Sequence, residues 1–91
     1  DTVRFQVGFK GFDGNTIADT PDTVHFKLYD SKRLELFTVT LDDTNKTSTG
    51  YYHYDLTFGD EYVEGIYTFE FKGIFNEVSY ISRDEITLTF S

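Results

Sequence analysis

The sequence predicts an all-β fold, an antiparallel β-sandwich of six to seven strands. Apolar and polar residues alternate in nearly every segment between turn signals, which is the period of a strand with one side on a core. The composition includes 10 Phe and 7 Tyr in 91 residues, and aromatic side chains favour strands. No segment keeps a helical period, so the helical crossovers that parallel strands need are not expected.

Turn signals divide the first half of the chain into three predicted strands. The pair Asp13-Gly14 tolerates the positive φ of a tight turn, Pro21 cannot donate to a strand ladder, and the polar run 30–33 marks a second turn. The apolar residues that are predicted to face the core are Val3, Phe5, Val7 and Phe9, then Val24, Phe26 and Leu28, then Phe37, Val39 and Leu41.

The second half is divided in the same way. The stretch 42–50 has no apolar residue, so we expect an exposed loop there, and the run 59–61 ends the next strand. Val78 and Tyr80 indicate either a short additional strand or the beginning of a long final one. The predicted core residues are Tyr52, Tyr54, Leu56 and Phe58, then Tyr67, Phe69 and Phe71, then Ile86, Leu88 and Phe90.

Some of these residues are expected at the centre of the core, where large side chains matter most in a chain of this length. Leu36 and Ile66 instead interrupt the polar side of their strands, which indicates either contact with a neighbouring domain or ordinary surface residues. The residues predicted at the centre are Phe5, Phe26, Val39, Tyr54, Tyr67, Phe69 and Leu88.

Composition excludes several classes of function. The 16 acidic and 8 basic residues give a net charge of −8, which repels nucleic acid and anionic membrane surfaces. No apolar run approaches the ~20 residues of a membrane span, so membrane insertion is not expected. The absence of Cys excludes disulfides, zinc thiolate sites and cysteine nucleophiles.

The length predicts a single β-sandwich domain over residues 1–91. The sequence opens at Asp1 without a Met or a signal peptide, so we interpret it as excised from a larger multidomain protein. The lack of thiols favours an extracellular or cell-surface location over the cytoplasm.

The segment Glu64-Gly65-Ile66-Tyr67-Thr68-Phe69 resembles the beginning of the sixth strand in immunoglobulin-like domains, where a Tyr hydroxyl bonds to nearby main chain. Phe69 stands where that family often has Cys. The whole chain is similar to immunoglobulin-like or fibronectin-like sandwich repeats of bacterial, archaeal and phage surface proteins, in the segments 26–30, 49–54 and 65–67. The resemblance implies a spacer, adhesive or accessory module whose partners are neighbouring domains of the same chain or another surface protein.

Catalytic residues are not predicted, and the chain is interpreted as a non-catalytic module. Nucleophilic catalysis needs a Ser or Thr beside a base. The only imidazoles, His25 and His53, fall on the polar side of their strands, which indicates ordinary solvent-facing residues. The sequence also lacks a Gly-x-Ser-x-Gly motif and a glycine-rich phosphate loop.

Calcium is the metal that the acidic loops would suit, because it prefers several oxygen ligands. The candidate ligands are Asp13, Asn15 and Asp19, which share one predicted loop. Turn chemistry explains the same residues, since Asp, Gly and Asn are common turn formers. Both interpretations therefore stand at this point, and no other cofactor is expected.

Tyr51 and His53 share the outer side of a predicted strand and are candidate ligand-binding residues. An exposed aromatic ring can stack on a sugar or contact a partner. The alternative function is therefore a carbohydrate-binding accessory module, with calcium as its structural ion. Against it, the chain has no Trp, and a partly covered strand face explains the pair equally well.

Overall fold

The computed structural model describes residues 2–17 and 21–89. The fold is all-β, and the pairing of the described strands is antiparallel throughout. One sheet has the order β1-β5-β4 and the other β3-β2-β6-β7. The predicted antiparallel β-sandwich of six to seven strands is confirmed. The strands are β1 (Thr2–Gly8), β2 (Thr23–Tyr29), β3 (Glu35–Thr40), β4 (Lys46–Ser48), β5 (Tyr51–Thr57), β6 (Gly65–Phe75) and β7 (Val78–Leu88).

Aromatic rings from both sheets fill the space between them. The side chain of Phe26 on β2 is 0% exposed. Its ring centroid lies 5.2 Å from that of Phe5 and 4.7 Å from that of Tyr54, both on the opposite sheet. Ring pairs at such distances stabilise a fold beyond the apolar area that they bury. The alternation in the sequence therefore located the inner sides of the strands correctly.

The burial of the predicted central residues is uneven. Phe5, Phe26, Tyr67 and Leu88 are buried, as expected, but Val39, Tyr54 and Phe69 are only partly buried, which corrects the prediction for these three. Val39 lies on an edge strand. Phe69 lies beside Asp84 of β7, whose side chain is exposed on the inner side of the edge, so this margin of the core is open to solvent. Phe90 lies outside the described residues.

The prediction that residues 42–50 form only an exposed loop was wrong in one respect. This segment contains a short 3-10 turn (Asp43–Asn45) and the strand β4. The Asp42 carboxylate accepts from the backbone N–H of Thr44 at 2.9 Å, and Asn45 Oδ1 accepts from the N–H of Asp42 at 3.1 Å. These bonds cap the turn. A three-residue edge strand can pair through its backbone alone. Strand β4 has no apolar residue, so the alternation of apolar and polar residues did not predict it.

Val78 and Tyr80 belong to one long final strand, β7, and not to a short additional strand. It pairs with β6 from Phe75↔Val78 to Gly65↔Leu88. The connecting residues Asn76 and Glu77 have φ values of 50° and 68°. Positive φ at both positions is typical of the type I′ turn, whose twist matches that of a hairpin.

Tyr67, near the beginning of β6, donates its hydroxyl to the backbone carbonyl of Val63 at 2.6 Å. The bond fastens the β5–β6 connection to the buried ring, which is 3% exposed. Tyr67→Phe is therefore expected to lower the free energy of unfolding by about 0.5–1.5 kcal/mol, measured by urea denaturation.

The matched control is Tyr80→Phe, because the Tyr80 hydroxyl makes no hydrogen bond to another described residue. We expect this variant to stay within about 0.5 kcal/mol of the parent protein. Equal losses in the two variants would contradict a structural role for the Tyr67 hydroxyl.

The two described ends of the chain lie at the same end of the sandwich. Thr2 pairs with Thr57 at the end of β5, and Leu88 pairs with Gly65 at the beginning of β6. Since residues 58–64 join these two partners, Thr2 and Leu88 both lie beside that connection. We call this end the base. The opposite end, with the β1–β2 connection, residues 41–50 and the β6–β7 turn, is the tip, and the long axis measures 41 Å.

Candidate functional surfaces

The predicted calcium loop contains a closed turn around Asp13. The Asp13 carboxylate accepts from the backbone N–H of Asn15 at 3.0 Å and from its Nδ2 at 3.2 Å. These two hydrogen bonds stabilise the charged form and hold the pKa of Asp13 below its usual value. Among the described residues, no group of three or more His, Cys, Asp or Glu is arranged to hold a metal ion. Asp19 lies outside the described residues, and calcium binding stays a prediction.

The predicted ligand residues Tyr51 and His53 lie on the outer side of β5, and each is tied to a neighbouring segment. The Tyr51 hydroxyl forms a hydrogen bond with Thr16 Oγ1 at 3.1 Å, which fastens the β1–β2 connection. His53 Nδ1 forms one with Thr47 Oγ1 at 2.8 Å, which fastens β4. Both side chains therefore organise the tip half of the three-stranded sheet.

The Tyr51 ring is 43% exposed and lies against the backbone of Gly8. A Cβ atom at Gly8 would come within 2.7 Å of Tyr51 Cε1, so only glycine leaves room for the ring. An open cleft of about 380 Å³ adjoins it, lined in part by Gln6 and Ser48. Chemically, this surface offers one partly open aromatic ring with neutral polar groups around it.

Arg4 and Asp55 occupy the same outer face nearer the base. Arg4 Nε and Nη2 donate to the two carboxylate oxygens of Asp55 at 2.8 and 2.9 Å. This bidentate bond lowers the pKa of Asp55 and raises that of Arg4. The pair joins β1 to β5 and keeps the outer face polar.

The two histidines lie on the outer sides of different sheets, His25 on β2 and His53 on β5. The aromatic core therefore separates them. Neither the Tyr51 surface nor the tip brings an imidazole close to a second one.

Sequence reasoning missed an exposed aromatic residue at the tip. Phe12, in the β1–β2 connection, is 96% exposed, and its ring centroid lies 5.8 Å from that of Tyr80. Val78, on the same strand as Tyr80, is 42% exposed. The sequence did contain a signal for this exposure. Phe12 stands in a turn between two glycines and outside any alternating segment, so its ring is not directed into the core.

The charge of the tip is mostly negative. Its carboxylates come from three separate connections, and few cations balance them. Such a surface attracts a partner of opposite charge and repels copies of itself. The described acidic residues of the tip are Asp13, Asp22, Asp42, Asp43 and Glu77, and the basic ones are Lys10 and Lys46.

Among residues 2–17 and 21–89, no helix has the length and apolar character needed to cross a membrane. No protein-family model, curated protein or solved structure matches this chain.

Proposed function

We propose that this chain is a non-catalytic, immunoglobulin-like interaction module of a protein that works outside the cell or at its surface. The base joins it to neighbouring domains, and the tip contacts a partner protein. The observation that carries the proposal is the exposed ring of Phe12 at the tip, at the opposite end of the sandwich from the pairs Thr2↔Thr57 and Gly65↔Leu88.

Two observations support the immunoglobulin-like part of the proposal. In such domains, strands B, E and D form one sheet and C′, C, F and G the other. The orders β1-β5-β4 and β3-β2-β6-β7 follow that arrangement when β1 is taken as strand B. The hydrogen bond from Tyr67 to the carbonyl of Val63 lies at the start of β6, where the family has its tyrosine corner.

The core supports a rigid presentation of the tip. Phe9 and Phe75, whose ring centroids are 5.5 Å apart, continue the aromatic core to the tip end of both sheets. Gly50, with φ 82°, lies so close to the β1–β2 connection that a Cβ there would come within 2.7 Å of the Ile17 carbonyl oxygen. The connection that carries Phe12 is therefore packed against the β4–β5 turn.

The test is Phe12→Ala, with attachment to the natural partner protein as the measurement. Since aromatic residues dominate protein interfaces, we expect binding to weaken by about tenfold or more. The melting temperature should not change, because the ring is 96% exposed.

The matched control is Val63→Ala at the base, where the side chain is 73% exposed. This variant should bind as the parent protein does. Weakened attachment in Val63→Ala with normal attachment in Phe12→Ala would place the contact at the base and overturn the proposal.

A further inference from the structure

One cleft lies on the outer side of the four-stranded sheet, towards the base. Its volume is about 500 Å³, which is within the range of small-molecule sites, and it is lined by Tyr29, Arg33, Thr68, Arg83, Asp84 and Glu85. Its floor is a row across three strands, since Tyr29 pairs with Thr68 and Thr68 pairs with Glu85. Strand register, and not one loop, brings these side chains together.

Arg83 is held at one side of the cleft by a buried carboxylate. Glu70, on the same outer face of β6, is 4% exposed. Its Oε1 atom accepts from Arg83 Nε at 3.1 Å and also from Arg83 Nη2. The guanidinium is fixed in this way, while Nη1 keeps its N–H groups for another acceptor. The Arg83 side chain is 61% exposed, so a ligand in the cleft can reach it.

Arg33 stands over the other side of the cleft on a well-ordered turn. Asp30 Oδ1 accepts from the backbone N–H groups of Lys32 and Leu34 at 2.8 and 2.9 Å. Arg33 has φ 64°, a conformation that favours glycine. Its guanidinium makes no hydrogen bond or ion pair with another described residue, so all its donors are available.

The lining combines donors, acceptors and one ring. The arginines only donate, the Glu85 carboxylate only accepts, and the Thr68 hydroxyl does both. A sugar hydroxyl both donates and accepts, so a ring of hydroxyls can satisfy both kinds of group at once. The Tyr29 ring supplies an apolar face against which a sugar ring can pack. An anion would meet the carboxylate of Glu85 on a chain of net charge −8.

We propose that this cleft binds a neutral saccharide, which packs on Tyr29 while Arg33 and Arg83 donate to its hydroxyl oxygens and Glu85 accepts from a hydroxyl. The site lies on the sheet opposite to Tyr51 and His53, and it does not depend on the contact proposed for the tip. It offers charged groups of both signs, whereas the Tyr51 surface offers one ring whose hydroxyl is already bonded to Thr16.

The test is a nuclear magnetic resonance titration of the chain with maltotetraose, cellotetraose, mannotetraose and chitotetraose, and with tetragalacturonic acid as the anionic counterpart. We expect saturable shifts for at least one neutral sugar, centred on the amides of residues 29, 33, 68 and 83–85. No saturation with any neutral sugar, or saturation with tetragalacturonic acid alone, would overturn the proposal.

Arg33→Gly tests sugar binding without lowering the stability of the fold. Glycine suits φ 64° better than arginine does, so the melting temperature should stay equal or rise, while the dissociation constant for the sugar should increase by about tenfold. Tyr29→Ala should weaken binding by a similar factor. The matched control is Tyr51→Ala, which should leave binding unchanged. Loss of binding in Tyr51→Ala with normal binding in Arg33→Gly would place the sugar on the other sheet.

Discussion

Replacing Phe26 by Ala is expected to lower the free energy of unfolding by about 3–5 kcal/mol, measured by urea denaturation. The ring is 0% exposed and contacts rings of both sheets, with centroids 5.1 Å from Phe71 and 4.7 Å from Tyr54. Its removal leaves a cavity that the paired strands cannot close, because their hydrogen bonds hold the backbones in place.

Two further variants make this result interpretable. Phe26→Leu keeps most of the volume and should lose about 1–2 kcal/mol, so it remains measurable if the alanine variant does not fold. Phe69→Ala should lose less than Phe26→Ala, because Phe69 is only partly buried. A loss under about 1 kcal/mol for Phe26→Ala would contradict the central position of this ring.

Arg83→Ala is expected to lower the free energy of unfolding, because it leaves the carboxylate of Glu70 without its cation. Glu70 is 4% exposed, so water cannot fully replace the lost hydrogen bonds. The Arg83 side chain is 61% exposed, and screening by solvent keeps the loss below that expected for a wholly buried ion pair.

A double-mutant cycle isolates this interaction in the same urea measurement. Glu70→Gln removes the charge that needs a cation, so Arg83→Ala should cost clearly less in the Glu70→Gln background than in the parent protein. Equal costs in the two backgrounds would show that Arg83 contributes only the packing of its aliphatic stem.

The alternating pattern of the sequence was sufficient to predict which side of a strand the candidate residues occupy, but not which residues they contact. Alternation placed Tyr51 and His53 on one outer face, and this is where the structure has them. It did not indicate their partners, because Thr16 and Thr47 come from other segments. Alternation also placed Glu70 on the outer side of β6, but its ion pair with Arg83 depends on the hairpin register, which brings the two side chains alongside each other.

The cleft of Tyr29, Arg33 and Arg83 had no signal in the sequence. Each of its floor residues is an ordinary outward residue on its own strand, and they meet because β2, β6 and β7 pair in one register. Phe12 is the opposite case. Its position in a turn between two glycines was visible in the sequence, but its closeness to Tyr80 depends on the packing of the tip.

The sequence by itself determined that the chain is all-β and which side of most strands faces the core, as at Phe5 and Phe26. Inward and outward sides follow from the two-residue period of a single strand, which is a local property. Only the tertiary structure decided the strand order, the strand β4, the position of Thr2 and Leu88 at the base, and the cleft beside Arg83. These features depend on which strands pair and in what register. Strand pairing involves several segments of the chain at once, so it cannot be derived from one segment alone.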